Sequence, residues 1–211
     1  MVKVKICGIT NLTDARRAVE AGADFLGFNF YPQSPRYIPP AKARGIVRRL
    51  KEQVTVVGVF VNAPEEKMLA IARSVGLDYL QLHGEESPEL VARLKRSYPI
   101  IKAVRVRNSF RPAQLTPYKR AAAILLDGFH PSRHGGTGKR FDWNIARRAR
   151  TSSRIFLAGG LTPLNVAEAI RAAAPYAVDI CSGVESKPGK KDPARVESLM
   201  RAVRTAHRRP R

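Results

Sequence analysis

Residues 55–83 read TVVGVFVNAPEEKMLAIARSVGLDYLQLH, and this stretch decides the fold. Its first part, 55–61, is a short run rich in Val and Phe, the composition of a strand. Residues 65–75 then carry helical periodicity and stop at Gly76, where a helix end needs glycine. A second short strand follows at 79–83. Strand, crossover helix and strand form one βαβ unit, the building block of a parallel sheet.

Working outward, the same alternation fills the chain. Further strands are expected at 4–9, 25–30, 100–106, 122–127, 155–158 and 178–182. Helical or turn-forming stretches fall at 13–20, 41–51, 88–97, 112–118, 143–150, 163–173 and 193–206. Ser87-Pro88, Thr162-Pro163 and Asp192-Pro193 each place a capping residue before a proline at the first helical position, and Gly22 sits at another helix end. Eight units in 211 residues leave about 26 residues each, close to the minimum for a parallel crossover. The expectation is one α/β domain, a (β/α)8 TIM barrel of the ribulose-phosphate-binding type, over residues 1–206, with a basic tail at 207–211. An open doubly wound sheet would show fewer strands and a glycine-rich fingerprint after the first one, where this chain has Cys7-Gly8-Ile9-Thr10.

Composition agrees with a globular enzyme: 44% of residues are hydrophobic and 26% charged. No apolar run reaches the roughly 18 residues of a membrane span, and the first residues lack the apolar core of a signal peptide. With only Cys7 and Cys181, no disulfide framework is indicated. These features place the chain in the cytoplasm. The net charge of +21, from 38 Lys and Arg against 17 Asp and Glu, is the one extreme feature. It lies in runs such as Arg48-Arg49, Arg93 to Arg96 and Arg147-Arg148, which read as solvated helix faces. Aromatics are only 7%, which argues against nucleic acid as a partner.

Barrel active sites sit at the C-terminal ends of the strands. Those ends carry Cys7, Asn29, His83, Arg105 or Arg107, Asp127, Gly159-Gly160 and Ser182-Gly183. The two-residue period puts Lys5 and Cys7 on one strand face, so Cys7 points into the mouth; a thiol there is a base only as thiolate, which needs nearby positive charge. The alternative for Cys7 is a small apolar filler. Asp127 closes an apolar run, and a carboxyl group there needs partners or work; proton donation is one job, and capping the next loop is another. Glycines at 159, 160 and 183, with Ser182, let backbone N–H groups approach a phosphate. Arg36 sits in a proline-stiffened loop after the second strand. Its guanidinium has the geometry to grip a carboxylate, although on charge alone it reads as a surface arginine. His83 reads as a hydrogen-bonded packing residue, Gly135-Gly136-Thr137-Gly138-Lys139 as a mobile loop over the site, and Cys181 as packing. His130 and His134 lie on the loop after the sixth strand, no other cluster has metal-ligand spacing, and no metal is expected.

Lys5-Ile6-Cys7-Gly8-Ile9-Thr10, Ser34-Pro35-Arg36-Tyr37-Ile38, Gln81-Leu82-His83-Gly84, Leu126-Asp127, Ala158-Gly159-Gly160-Leu161 and Ser182-Gly183-Val184-Glu185 stand in collinear order over nearly the whole chain. Together they closely resemble the phosphoribosylanthranilate isomerase family of tryptophan biosynthesis. The resemblance implies a phosphorylated small-molecule substrate, N-(5-phosphoribosyl)anthranilate, and its Amadori rearrangement to 1-(2-carboxyphenylamino)-1-deoxyribulose 5-phosphate without a cofactor. It makes Asp127 the general acid and Cys7 the general base. Arg36 becomes the contact to the anthranilate carboxylate, the two glycine turns the phosphate grip, and Asp179 the holder of a ribose hydroxyl. The chain is expected as a monomer or homodimer. Two rival barrel enzymes fit less well: a ribulose-phosphate epimerase needs metal-binding histidines paired with aspartates, and the histidine-pathway aminoimidazole isomerase needs aspartates at the first and fifth strand ends. A basic RNA-binding scaffold without turnover is the rival from another class.

Overall fold

Eight parallel strands close on themselves in the computed structural model, which describes residues 1–106, 110–128, 143–149 and 153–206. They are β1 (Lys3–Cys7), β2 (Phe25–Asn29), β3 (Thr55–Phe60), β4 (Tyr79–Leu82), β5 (Ile100–Val106), β6 (Ala123–Gly128), β7 (Ile155–Leu157) and β8 (Ala177–Ile180). Each pairs with the next, and β8 returns to β1 in the register Lys5↔Asp179 and Ile6↔Ile180. The expected barrel is therefore present, with every strand within two residues of its expected bounds.

Alternation along the strands sorts side chains into two layers. Val4, Ile6, Leu26, Phe28, Leu80 and Leu82 join the large outer core beneath the helices. Phe25, Val57, Ile101, Leu125, Phe156 and Ala177 belong to a separate cluster that fills the barrel axis. There the Phe25 and Phe156 rings meet edge-on with centroids 5.3 Å apart. Lys5, from the inward face of β1, is fully buried in this axis, with its ammonium 2.8 Å from the Asp179 carboxylate. A charge so placed persists only with such a partner.

The helices are α1 (Leu12–Glu20), α2 (Pro40–Val47), α3 (Glu65–Val75), α4 (Pro88–Leu94), α5 (Trp143–Ala149), α6 (Val166–Ala173) and α7 (Pro193–Thr205), with a 3₁₀ stretch at Pro112–Tyr118. Ser87 and Asp192 cap α4 and α7 as their sequence suggested, accepting from the backbone N–H of Leu90 at 3.3 Å and of Arg195 at 3.2 Å. Gly76 ends α3 in the left-handed region at φ 83°. The Thr162-Pro163 start signal is misplaced: α6 begins at Val166, three residues after Pro163. Asn165 is the reason, because its side chain accepts from Thr162 N–H at 2.8 Å and donates to the Gly160 carbonyl at 2.9 Å, holding residues 160–165 as a turn.

A feature absent from the sequence reading is a small antiparallel hairpin after β8, made of β9 (Glu185–Lys187) and β10 (Lys190–Lys191). Arg93 and Arg147-Arg148 lie on exposed helix faces as expected, but Arg48-Arg49 and Lys95-Arg96 are exposed in the turns just after α2 and α4, which end sooner than expected. No helix among the described residues is long and apolar enough to cross a membrane. Arg107, His130, His134, the expected loop at 135–139 and the tail at 207–211 lie outside the described residues.

Candidate active site

The C-terminal mouth of the barrel opens into a cavity of about 600 Å³, and the side chains that border it come from strand ends spread around the ring. β1 contributes Cys7, β2 and its loop Asn29 and Arg36, and β4 contributes Gln81 and, just past its end, His83. β6 contributes Asp127, the β7 turn Gly159 and Gly160, and β8 with its turn Asp179, Cys181 and Ser182. Of the expected site residues, only Gly183 stands back from the lining. A methyl group on Gly183 would lie 1.9 Å from the Leu161 carbonyl oxygen, so this glycine lets the β7 and β8 turns touch.

Cys7 is buried at the floor of the cavity. Gly27 on the neighbouring strand makes room for it, since a Cβ there would come within 2.7 Å of the Cys7 sulfur and 3.0 Å of the Lys5 ammonium. The Cys181 thiol hydrogen-bonds to Cys7 and is the largest influence holding Cys7 well below the ordinary thiol range. Burial opposes this, and the Lys5 and Lys191 charges add to it. Cys181 is correspondingly raised, first by its bond to Cys7 and then by burial. Lys5, in contact with Cys7, favours the negative charge on that sulfur. Burial alone would lower the Lys5 ammonium, but Asp179 and Cys7 outweigh it and raise its pKa. Asp179 is pushed up to about 6, by burial first and by the charge of Cys7, with Lys5 pulling the other way.

Across the mouth, Asp127 is 4% exposed and its Oδ2 lies 3.3 Å from Nε2 of His83. The other ring nitrogen of His83 faces the Gln81 amide at 2.8 Å. The alternative reading of Asp127 as a cap for the next loop falls on residues outside the described ones, while His83, read as a hydrogen-bonded packing residue, is bonded to both Gln81 and Asp127 and also borders the cavity. Cys181, read as packing, also lines the cavity and touches the Cys7 thiol. Arg36 is not a free surface arginine either: its Nε and Nη2 clasp Glu185 at 3.0 and 2.7 Å. Burial opposes its charge, and the hydrogen bonds it donates to Glu185, with the nearby negative charge, more than restore it, raising its pKa. Arg105 turns instead toward Glu85, 3.8 Å away. Gly159 and Gly160 both hold positive φ, 86° and 66°, in the turn bordering the cavity.

Lys5, Gln81, Cys181, Glu185 and Lys191 were missed as site residues, although the face shared by Lys5 and Cys7 in β1 was a usable signal. No group of three or more His, Cys, Asp or Glu side chains among the described residues could hold a metal ion.

Fold and site define a (β/α)8 barrel enzyme with its working groups at the strand C-termini. The family model for N-(5'-phosphoribosyl)anthranilate (PRA) isomerase matches residues 4–202. An N-(5'-phosphoribosyl)anthranilate isomerase of Citrifermentans bemidjiense is 54% identical over 200 residues, 95% of this chain and 96% of that relative. The crystal structure of phosphoribosyl anthranilate isomerase from Thermotoga maritima superposes with a TM-score of 0.91 at 46% identity, covering 97% of this chain and 99% of that one. A second structure of such an isomerase, in complex with reduced 1-(o-carboxyphenylamino)-1-deoxyribulose 5-phosphate, gives 0.87 at 44% identity and the same coverage. The chain belongs to the N-(5'-phosphoribosyl)anthranilate isomerase family of tryptophan biosynthesis.

Proposed function

We propose that the chain converts N-(5-phosphoribosyl)anthranilate into 1-(2-carboxyphenylamino)-1-deoxyribulose 5-phosphate, with Asp127 as general acid and Cys7 as general base. The observation that carries this reading is that Cys7, held below the ordinary thiol range, and Asp127 border one cavity of about 600 Å³. A cavity of that size is ordinary for a small-molecule site. The solved relative that holds reduced 1-(o-carboxyphenylamino)-1-deoxyribulose 5-phosphate supports the same choice of ligand.

In this mechanism Asp127 gives its proton to the ribose ring oxygen as the C1–O bond breaks, and the anilino nitrogen supplies the electron pair that forms the C1=N iminium. The Cys7 thiolate then removes the proton from C2, and the C–H electrons flow to the nitrogen to give the enolamine. Return of a proton to C1 and loss of the enol O–H proton yield the ketone and restore both catalytic groups, so the reaction is an isomerisation with no net proton change. The iminium nitrogen is the electron sink, which removes the need for a cofactor. His83 keeps Asp127 aimed at the ring oxygen. Arg36 meets the anthranilate carboxylate, the turns at Gly159-Gly160 and Ser182-Gly183 take the phosphate, and Asp179 holds a ribose hydroxyl.

The test is the steady-state decay of anthranilate fluorescence with purified protein and substrate. Cys7→Ala and Asp127→Asn should each lower kcat by about 10²- to 10⁴-fold, the usual contribution of a positioned acid or base. A folded variant of either kind that turns over at near-full rate removes that residue from its role.

A further inference from the structure

Glu185 lies at the start of β9, and its buried carboxylate is the hub of the hairpin. It accepts from Arg36 Nε at 3.0 and 3.1 Å, from Arg36 Nη2 at 2.7 Å, from Lys191 Nζ at 2.9 Å and from the Gly189 N–H at 3.2 Å. The hairpin is in turn fastened to the rim: the Thr10 hydroxyl donates to the Gly189 carbonyl, and the Lys191 N–H donates to Asp14 at 2.8 Å. Burial disfavours the Glu185 charge, but Arg36 and Lys191 overcome it and keep the carboxyl below its ordinary range.

Two consequences follow for Arg36. Its guanidinium is held through Nε and Nη2, which fixes the plane of the group and leaves Nη1 outside the clasp. One carboxylate also sits between two cations, so the trio carries one net positive charge, and Arg36 is its member at the wall of the cavity. That is the charge a single aromatic carboxylate would meet.

We propose that Glu185 is the positioning residue that aims Arg36 at the carboxylate of the substrate's aryl half, and that the hairpin bearing it is a specificity element for that half. The inference rests on the reading of Arg36 as the carboxylate contact. Catalysis at the sugar, by contrast, uses groups from other strands, so loss of the clasp should weaken binding of the aryl half and spare the chemical step.

The experiment compares Glu185→Gln, Glu185→Asp, Arg36→Met and the double variant Arg36→Met/Glu185→Gln in the full chain. Two substrates are used: N-(5-phosphoribosyl)anthranilate and the aniline analogue that lacks the carboxylate. With the natural substrate, Glu185→Gln should raise KM about 10- to 100-fold, the loss expected for a charge-assisted contact, with kcat within about 3-fold. Glu185→Asp should recover part of that loss, and the double variant should be no worse than Arg36→Met alone. With the analogue, none of the three single variants should move KM. If Arg36→Met raises KM while Glu185→Gln matches the unaltered protein, the positioning role is overturned and the carboxylate contact stands. If Arg36→Met leaves KM unchanged, the carboxylate contact itself falls and the proposal with it. A fall in kcat that matches the rise in KM, or equal losses on both substrates, overturns the proposal in favour of a purely structural role. Should Glu185→Gln fail to fold, Glu185→Asp carries the same comparison, with an intermediate rise in KM expected and no change overturning the idea.

Discussion

Cys7 shows how much of a residue's chemistry is set by neighbours far away in sequence. Its thiol is pulled down by Cys181 and Lys5 against the cost of burial, and Lys5 in turn is held by Asp179, 174 residues away in the chain. Because a thiolate exists only above its pKa, a lowered pKa keeps Cys7 reactive as the pH falls toward neutrality, where an ordinary thiol is largely protonated. Iodoacetamide at neutral pH should therefore modify Cys7 before Cys181, as read by mass spectrometry of the peptides. The midpoint of the rate against pH should move up toward the ordinary thiol range in Lys5→Met. Labelling of Cys181 first, or an unmoved midpoint, would contradict the assignment of the thiolate to Cys7. Asp179 works in the opposite sense. Its folded pKa of about 6 lies above the unfolded value, so its contribution to stability is full below the ordinary carboxylate range and is lost as the pH rises through about 6.

At the scale of the element, the strands and the hairpin differ in how they announce themselves. A strand of this barrel is buried on both sides, so its apolar run survives in the sequence whatever the site requires, and each was readable to within two residues. β9 and β10 read Glu-Ser-Lys and Lys-Lys, with no apolar period, and they are held by ion pairs instead of by a core. Arg36 and Glu185 are 149 residues apart, and no local pattern joins them. The start of α6 misled for a related reason: Thr162-Pro163 has the local form of a cap, but Asn165 offers the backbone a competing set of bonds. Turn contacts lead to a test at the same scale. Gly183→Ala should overpack against the Leu161 carbonyl, 1.9 Å from the added methyl group, and cost about 1–3 kcal/mol. Gly45 in α2 has nothing within 4 Å of an added Cβ, so Gly45→Ala should instead stabilise by about 0.4–1 kcal/mol. Thermal denaturation should show several degrees of loss for the first and a small gain for the second, and the reverse order would refute this account of the turns.

For the molecule as a whole, the barrel was legible because eight repeats of one pattern leave little choice of architecture, and Cys7 and Asp127 were legible because strand ends can be counted. The charge of +21 was legible as a number but not as a role. The structure places the arginines and lysines of the runs at 48–49, 93–96 and 147–148 at exposed positions on helices and on the turns that follow them, where like charges repel. Surface pairs such as Arg93–Glu65 and Arg201–Glu197 oppose that repulsion only weakly. Raising ionic strength from about 0.01 M to 0.15 M shortens the screening length from about 30 Å to about 8 Å. The melting temperature should rise across that range in a calorimetric series with sodium chloride. A steady fall would mean that attractive pairs outweigh the repulsion.

Closure of the ring by β1 and β8 has a temporal side. The ribosome delivers Cys7 with β1, long before Asp179, Cys181, Glu185 and Lys191, which arrive with β8 and its hairpin. Until then the first strand has a bare hydrogen-bonding edge and the sulfur has none of its late neighbours. The nascent chain therefore carries Cys7 without the neighbours that lower its pKa, and the pairing of β8 with β1 both closes the barrel and brings those neighbours to the thiol.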